Sequence, residues 1–337
     1  MPEPAIHALG EFGLIARISA GAGNSTGAVV LGIGDDTAAL TVSPGRLLLA
    51  TCDVQVERVH FRRDTASARD IGHKALAVNI SDIASMGGIP RFALISLGLP
   101  TDTPVAFVDG VYEGIYSLAR EHGVDVVGGN MSASPTGIFI DITLLGEIEP
   151  NRLLRRAGAH PGQRIIVTGS PGDSAGGLAL LLDLSLTCTP AAAEPLLRAH
   201  RTPSPRVAAG RAAATAGGAT AMIDISDGLA SDLAHIAEAS EVDAVLWADA
   251  LPVSAALREL AAAAHRDPLS YTLFGGEDYE LLVIVEPEAE QAVLAAVRST
   301  GVAATTIGET TERGRGLHLR HPDGALRPLT EGGFRHF

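Results

Sequence analysis

Lysine is nearly missing from this chain. Of 25 Lys and Arg residues among 337, Lys74 is the one lysine, in RDIGHKAL. A P-loop needs its lysine directly after GxxxxG, and no such glycines precede Lys74, so a P-loop kinase is excluded. Cysteine is almost as scarce. Cys52 and Cys188 have no CxxC spacing, which suggests neither a disulfide framework nor a zinc site and leaves both as small core residues. Positive charge is short overall: the net charge of −14 denies the chain the field that a non-specific nucleic-acid or anionic-membrane surface requires. No uninterrupted apolar run reaches the roughly 18 residues of a membrane span. The N-terminus MPEPAIHALGEFG has no basic-then-apolar leader, so the expectation is a soluble, cytoplasmic protein. No Ser-His-Asp or Cys-His signature points to a covalent nucleophile.

What the chain does have is length and regular alternation. A chain of 337 residues exceeds the roughly 250–300 at which a single core stops growing, so two domains are expected. Apolar runs of strand character alternate with helical patterns, which reads as α/β. Strands are expected at 28–33, 47–51, 92–99 and 138–147, and helices at 68–85 and 104–122. The segment EPNRLLRRAGAHPGQ, polar and basic with two prolines, separates an N-terminal domain, 1–150, from a C-terminal domain, 151–337. GSPGDSAGG, residues 169–177, follows a strand and opens a helix; it reads as a turn capped by Asp173, with an anion site on its amides as the alternative.

Five segments place an acid or amide beside glycine or where a strand meets a helix: GIGDDTA (Asp35, Asp36), LLATCDV (Asp53), VNISDIASMGG (Asn79, Asp82), VVGGNMS (Asn130) and MIDISDGLASD (Asp224, Asp227, Asp232). Any one of them is an ordinary turn former or helix cap. As a set they gather negative charge that must be neutralised. Hard oxygen donors in this number suit several Mg²⁺ ions handling phosphate. Glu277 and Asp278 in FGGEDYELLVIV precede a strongly apolar strand and read as a turn or recognition loop.

The order of GEFGLI, GIGDDTA, TCDVQVERVHF, KALAVNISDIASMGG, VVGGN, VTGSPGDSAGGL, DISDGLASDL, FGGEDYELL and the terminal GGFRHF resembles the thiamine-monophosphate kinases, relatives of aminoimidazole ribonucleotide synthetase and selenophosphate synthetase. VHF, GGEDYEL and the closing HF favour this kinase over its sister activities, and AGAGNSTGAV lacks the reactive Cys that the selenium enzyme wants. The resemblance implies transfer of the ATP γ-phosphoryl group to thiamine monophosphate with Mg²⁺ as cofactor. Carried over by position, it implies that Asp36, Thr51, Asp53, Asp82, Asn130, Asp224 and Asp227 hold Mg²⁺. Tyr112, Gly129, Asn130, Arg156 and Ser226 would contact ATP, and His60, Glu277 and Phe334 the thiamine substrate. It further implies two α/β domains with mixed sheets, and a homodimer in which the N-terminal halves form a β-barrel. Three departures mark this chain: Cys52 where the family often has Thr, Arg58 in ERVHF for EGVHF, and Asn130 in GGN for GGD.

Overall fold

The computed structural model of the chain describes residues 5–23, 27–34 and 37–329. They form two compact units, one running to Ile83 and resuming at Ile89–Pro150, the other made of Ala84–Gly88 and the chain from Asn151 onward. Each has its own mixed sheet, as the resemblance implies.

The first unit contains helices α1 (Ile6–Ser19), α2 (Ala68–Ser85) and α3 (Val105–His122), with α2 ending across the unit boundary. Its strands are β1 (Val29–Leu31), β2 (Ala39–Leu40), β3 (Leu47–Val56), β4 (Ile89–Leu99), β5 (Asp125–Ala133) and β6 (Phe139–Ile148). Four of them form a sheet in the order β3-β6-β4-β5, with β6 antiparallel to β3 and β4, and β4 parallel to β5. Strand β3 runs five residues past its expected end at Thr51 because β6 pairs with all ten of its positions. The half-polar run TCDVQV hides that strand from an apolar-run reading. On β6, Ile140, Ile142 and Leu144 are fully buried while Asp141 and Thr143 between them are not, the period of two that sorts a strand's side chains onto two faces.

Reciprocal bonds between Ser67 and Asp70, each backbone N–H to the other's side chain, start α2 as a capping box. The helices α2 and α3 approach so closely that a Cβ on Gly114 would lie 2.0 Å from the Arg69 carbonyl oxygen.

In the second unit the strands are β7 (Arg164–Thr168), β8 (Ala219–Asp224), β9 (Asp243–Trp247), β10 (Leu281–Val285), β11 (Ala304–Thr311), β12 (Leu317–Arg320) and β13 (Leu326–Pro328). They form a sheet ordered β13-β12-β9-β11-β7-β10-β8, antiparallel except where β12 meets β9. Its helices are α4 (Asp173–Leu182), α5 (Pro190–Arg201), α6 (Val207–Ala216), α7 (Leu229–Ser240), α8 (Ala255–Ala263), α9 (Pro268–Phe274) and α10 (Glu290–Arg298). Leu229, Leu233 and Ile236 of α7 cover one face with Ile165, Val167 and Ile223. Ala209, Ala213, Val293 and Val297 of α6 and α10 cover the other with Ile166, Met222 and Val283. Strand β10, LLVIV, is buried at every position, which is why it is apolar without alternation. Among the described residues no helix is long and apolar enough to cross a membrane.

Gly114→Ala is expected to cost about 3 kcal/mol, as overpacking of a tight contact does, and thermal unfolding of the purified variant checks it. An unchanged midpoint would contradict the close approach of α2 and α3.

Candidate functional site

In the first unit the acids meet at β3 and the helix packed on it. The Thr51 hydroxyl donates to Asp82 of α2. One turn earlier on α2, the Asn79 carboxamide oxygen accepts the Asp53 backbone N–H at 3.1 Å, while its own N–H₂ donates to the Ala75 carbonyl at 3.1 Å. Asn79 is therefore a strap between strand and helix, and it sets Asp53 beside Asp82. Burial, with Asp82 and Asp141 adding repulsion, pushes the Asp53 carboxyl up to about 6. Cys52 points to the opposite face of β3, where its thiol donates to Asp141 at 3.1 Å and accepts from the Thr143 hydroxyl at 3.4 Å. The Thr143 bond lowers the thiol pKa, but burial and the charges of Asp141 and Asp53 outweigh it and the net shift is upward.

Tyr112, Gly129 and Asn130 come together around a cavity of about 90 Å³, lined also by Ile15, Ile95 and Val126. Burial pushes the Tyr112 phenol up. A Cβ on Gly129 would sit 1.8 Å from the Ile95 carbonyl oxygen, so the β4–β5 approach demands glycine there. Asn130 is on β5 and Asp53 on β3, the two outer strands of the four-stranded sheet. Three strand spacings, about 14 Å, separate them, so one chain does not bring Asn130 to Asp53 and Asp82. His60 closes the turn after β3, its Nδ1 accepting the Val56 N–H at 3.0 Å. In the same turn Arg58 takes a left-handed backbone, φ 69°. Asp35, Asp36 and Phe334 lie outside the described residues.

The second unit interlocks two loops. Strand β8 ends at Asp224 opposite Leu281 of β10, and the pairing continues beyond the sheet. The Ile225 N–H donates to the Glu280 carbonyl at 2.7 Å, the Tyr279 N–H to the Ile225 carbonyl at 2.8 Å, and the Glu277 N–H to the Ser226 carbonyl at 2.7 Å. Glu277 and Tyr279 both hold left-handed backbone, φ 64° and 53°, at about 1–3 kcal/mol each. Asp224, Ser226, Asp227 and Glu277 thus belong to one structure.

The other acids here fasten it. Both oxygens of Asp278 accept backbone N–H groups at the start of α4, from Gly172 at 2.7 Å and Ser174 at 3.1 Å. Those amides are accordingly not an anion site, and the expected cap comes from Asp278 rather than Asp173, which instead accepts the Ser254 hydroxyl at 2.6 Å. Burial raises both carboxyls, Asp173 to about 6. Glu280 is gripped by the Arg206 guanidinium at 2.5 and 2.8 Å and by the Thr168 hydroxyl at 2.6 Å. Asp232, two per cent exposed, accepts the N–H groups of Ser226, Asp227 and Gly228 on one oxygen at 3.0–3.1 Å. Burial and the Asp227 charge nevertheless push its carboxyl up to about 7. Asp227, Asp232 and His235 offer ligand atoms within 4.8 Å of one another. The exposed Arg156 stands apart from them in this unit: its carbonyl is bonded to Ser240, at the far end of α7 from Asp227.

Sequence reasoning did not find His200, His235 or Asp141 as neighbours of the acids. His200 and Asp141 have no motif around them and only the topology brings them there, whereas the i,i+3 spacing of Asp232 and His235 on α7 was a local signal that could have found His235.

Family models match twice: AIR synthase related protein, N-terminal domain, over residues 34–148, and its C-terminal domain over residues 160–318. The thiamine-monophosphate kinase of Bacillus subtilis is 37% identical over 310 residues, covering 92% of this chain and 94% of that protein. That of Escherichia coli is 38% identical over 334 residues, covering 98% and 99%. The solved structure of AaThiL complexed with AMPPCP and TMP is similar at 36% identity, covering all of both chains with a TM-score of 0.77.

The raised Asp53 carboxyl has a definite sign in stability. Its folded pKa of about 6 lies above the ordinary 3.8, so the folded protein holds the extra proton and stability falls as pH rises from about 4 to 6. Asp53→Asn is expected to stabilise the metal-free protein at pH 7 by about 1–3 kcal/mol, with the gain vanishing below pH 4. Chelator-treated samples in thermal unfolding across this range check it.

Proposed function

The chain belongs to the AIR synthase related family and, within it, to the thiamine-monophosphate kinases; on that premise we propose that it transfers the γ-phosphoryl group of ATP to thiamine monophosphate, giving thiamine diphosphate and ADP, with Mg²⁺ as cofactor and in the cytoplasm. The likeness over the whole chain to a structure holding AMPPCP, an ATP analogue, together with TMP is the observation that carries this reading.

The donor set fits a hard divalent cation. Thr51, Asp53 and Asp82 offer oxygens only, and the burial and like-charge crowding that raise Asp53 are what a cation would offset. In the second unit Asp224 and Asp227 are assigned the same role, as are Asn130 and, outside the described residues, Asp36. Bound Mg²⁺ supplies charge neutralisation for two anions that must approach and for the phosphoryl group in transit. The acceptor is itself a phosphate, whose second pKa near 6 leaves it mostly ionised at pH 7. No side chain is needed as general base, and transfer is direct. Tyr112, Gly129, Asn130, Arg156 and Ser226 are assigned to ATP, and His60, Glu277 and Phe334 to the thiamine substrate. Residues 1–150 serve metal and nucleotide binding and dimerisation, and residues 151–337 complete the site.

The homodimer belongs to the same proposal. Leu48, Val54 and Phe139 are 36–52% exposed on one face of β3 and β6, a large apolar fraction for a free surface. A second sheet against these strands would cover them and bring the partner's Asn130 toward Asp53.

ATP and thiamine monophosphate incubated with and without Mg²⁺, with products identified by mass, are expected to give thiamine diphosphate only with the metal. Asp53→Asn and Asp227→Asn are expected to lose about 10³-fold or more in kcat, on the scale of other electrostatic transition-state contacts, while keeping the fold by circular dichroism. Full activity in both would remove the acids from the mechanism. The wild-type chain is expected to sediment as a dimer and Val54→Arg as a monomer; a wild-type monomer would overturn the pairing.

A further inference from the structure

His200, in the last turn of α5, has no place in the roles above, yet it lies against Glu277. Its Nδ1 is 3.4 Å from Glu277 Oε2 and 3.2 Å from the Ser174 hydroxyl, and the side chains of His200 and Glu277 are 11% and 26% exposed. We propose that His200 is a positioning residue that fixes the Glu277 carboxylate and thereby sets the affinity for the phosphoryl acceptor; this rests on the assignment of Glu277 to the thiamine substrate.

A carboxylate only accepts, so the pairing selects the form of His200 with a proton on Nδ1, directed at Oε2. The Ser174 hydroxyl lies against the same Nδ1, where its oxygen is a second acceptor for that proton. That hydroxyl is itself fixed, because Ser174 is fully buried and its N–H is bound to Asp278. The backbone of Glu277 is already determined by its left-handed φ and its bond to Ser226. A long side chain on a fixed backbone still has several rotamers, and a charge-assisted hydrogen bond to an anchored donor removes most of them. His200 Nδ1, 3.4 Å from Oε2, is the ring nitrogen placed to make it. A packing histidine with no such task would leave substrate affinity untouched on replacement.

The test is steady-state kinetics of His200→Ala, His200→Asn and Glu277→Gln, and of the His200→Ala/Glu277→Gln pair. His200→Ala is expected to raise KM for thiamine monophosphate about 10-fold, the scale of one charge-assisted hydrogen bond, with KM for ATP and kcat within about twofold. His200→Asn, which restores a donor near the Nδ1 position, is expected to recover most of the loss, and the double variant to resemble Glu277→Gln alone. Equal rises in both KM values, or effects that multiply in the double variant, overturn the proposal. Should the wild-type chain not use thiamine monophosphate, the substrate assignment fails separately, and the same four proteins are compared by thermal unfolding in the absence of substrate. Non-additive midpoint shifts then uphold the His200–Glu277 link, and additive shifts overturn it. If His200→Ala does not fold, His200→Leu, which keeps bulk but has no donor, carries the comparison against His200→Asn, and an unchanged KM for thiamine monophosphate in His200→Leu overturns the proposal.

Discussion

The pairing of β10 with β8 does not stop where the sheet ends, and the second unit's candidate site depends on that continuation. Three further backbone bonds, from Ile225, Tyr279 and Glu277, carry the ladder into two loops that would otherwise move independently. Two residues are forced into left-handed backbone to make them. Strain of that kind persists only where the surroundings over-determine it, and here they do. Asp278 is bound to the start of α4, and Glu280 to Arg206 and Thr168. Of the three acids in the EDYE run, two are thus consumed in holding the loop. Glu277, its side chain 26% exposed, is the one not consumed in this way, which suits the recognition role proposed for it.

Crowded carboxylates follow a different logic in the first unit. Asp53 and Asp82 share the helix-covered side of β3, while Asp141 approaches from the other side and still repels Asp53. A protein built only for stability would gain by replacing one of these with a neutral residue, since each buried like charge raises the cost of the next. The arrangement makes sense as a deficit that a bound cation removes. It is the same balance that leaves Asp232 with a raised carboxyl despite three amide donors. Folding and the proposed cation binding would be coupled in such a design: the free protein carries electrostatic stress that ligation would release.

Much of this was legible in the sequence, and for identifiable reasons. Short-range grammar announced the elements: the helical pattern over 68–85, the apolar run of β10, the glycines that open GGEDYEL. The motifs named the acids because their chemistry is local. What was not legible came from pairing across the chain. Nothing in LLATCDVQV shows that β6 supports it to Val56, and nothing in GSPGDSAGG shows that its amides are taken by an acid about a hundred residues later. His200 sits in LRAHRTPSPR with no signal at all, since its partners Ser174 and Glu277 lie on separate segments. Proposed roles that fall on Asp36 and Phe334 rest on the motifs themselves.

The first unit also poses a topological problem that a single chain does not solve. Asp53 and Asn130 are on β3 and β5, and these are the two outer strands of a sheet of four. Four strands cannot curl until their edges meet, because even a filled barrel takes about eight. Two sheets of four would satisfy that number, and the closure proposed is the one that places β3 of one copy beside β5 of the other. That arrangement would join Thr51, Asp53 and Asp82 with the partner's Asn130, and would cover the apolar side chains of β3 and β6 that the isolated chain exposes. It also gives the unpaired edges, which on a free sheet invite aggregation, a defined partner. Assembly and chemistry would then share one cause: the strands that a second copy would pair are the strands that carry the proposed ligands.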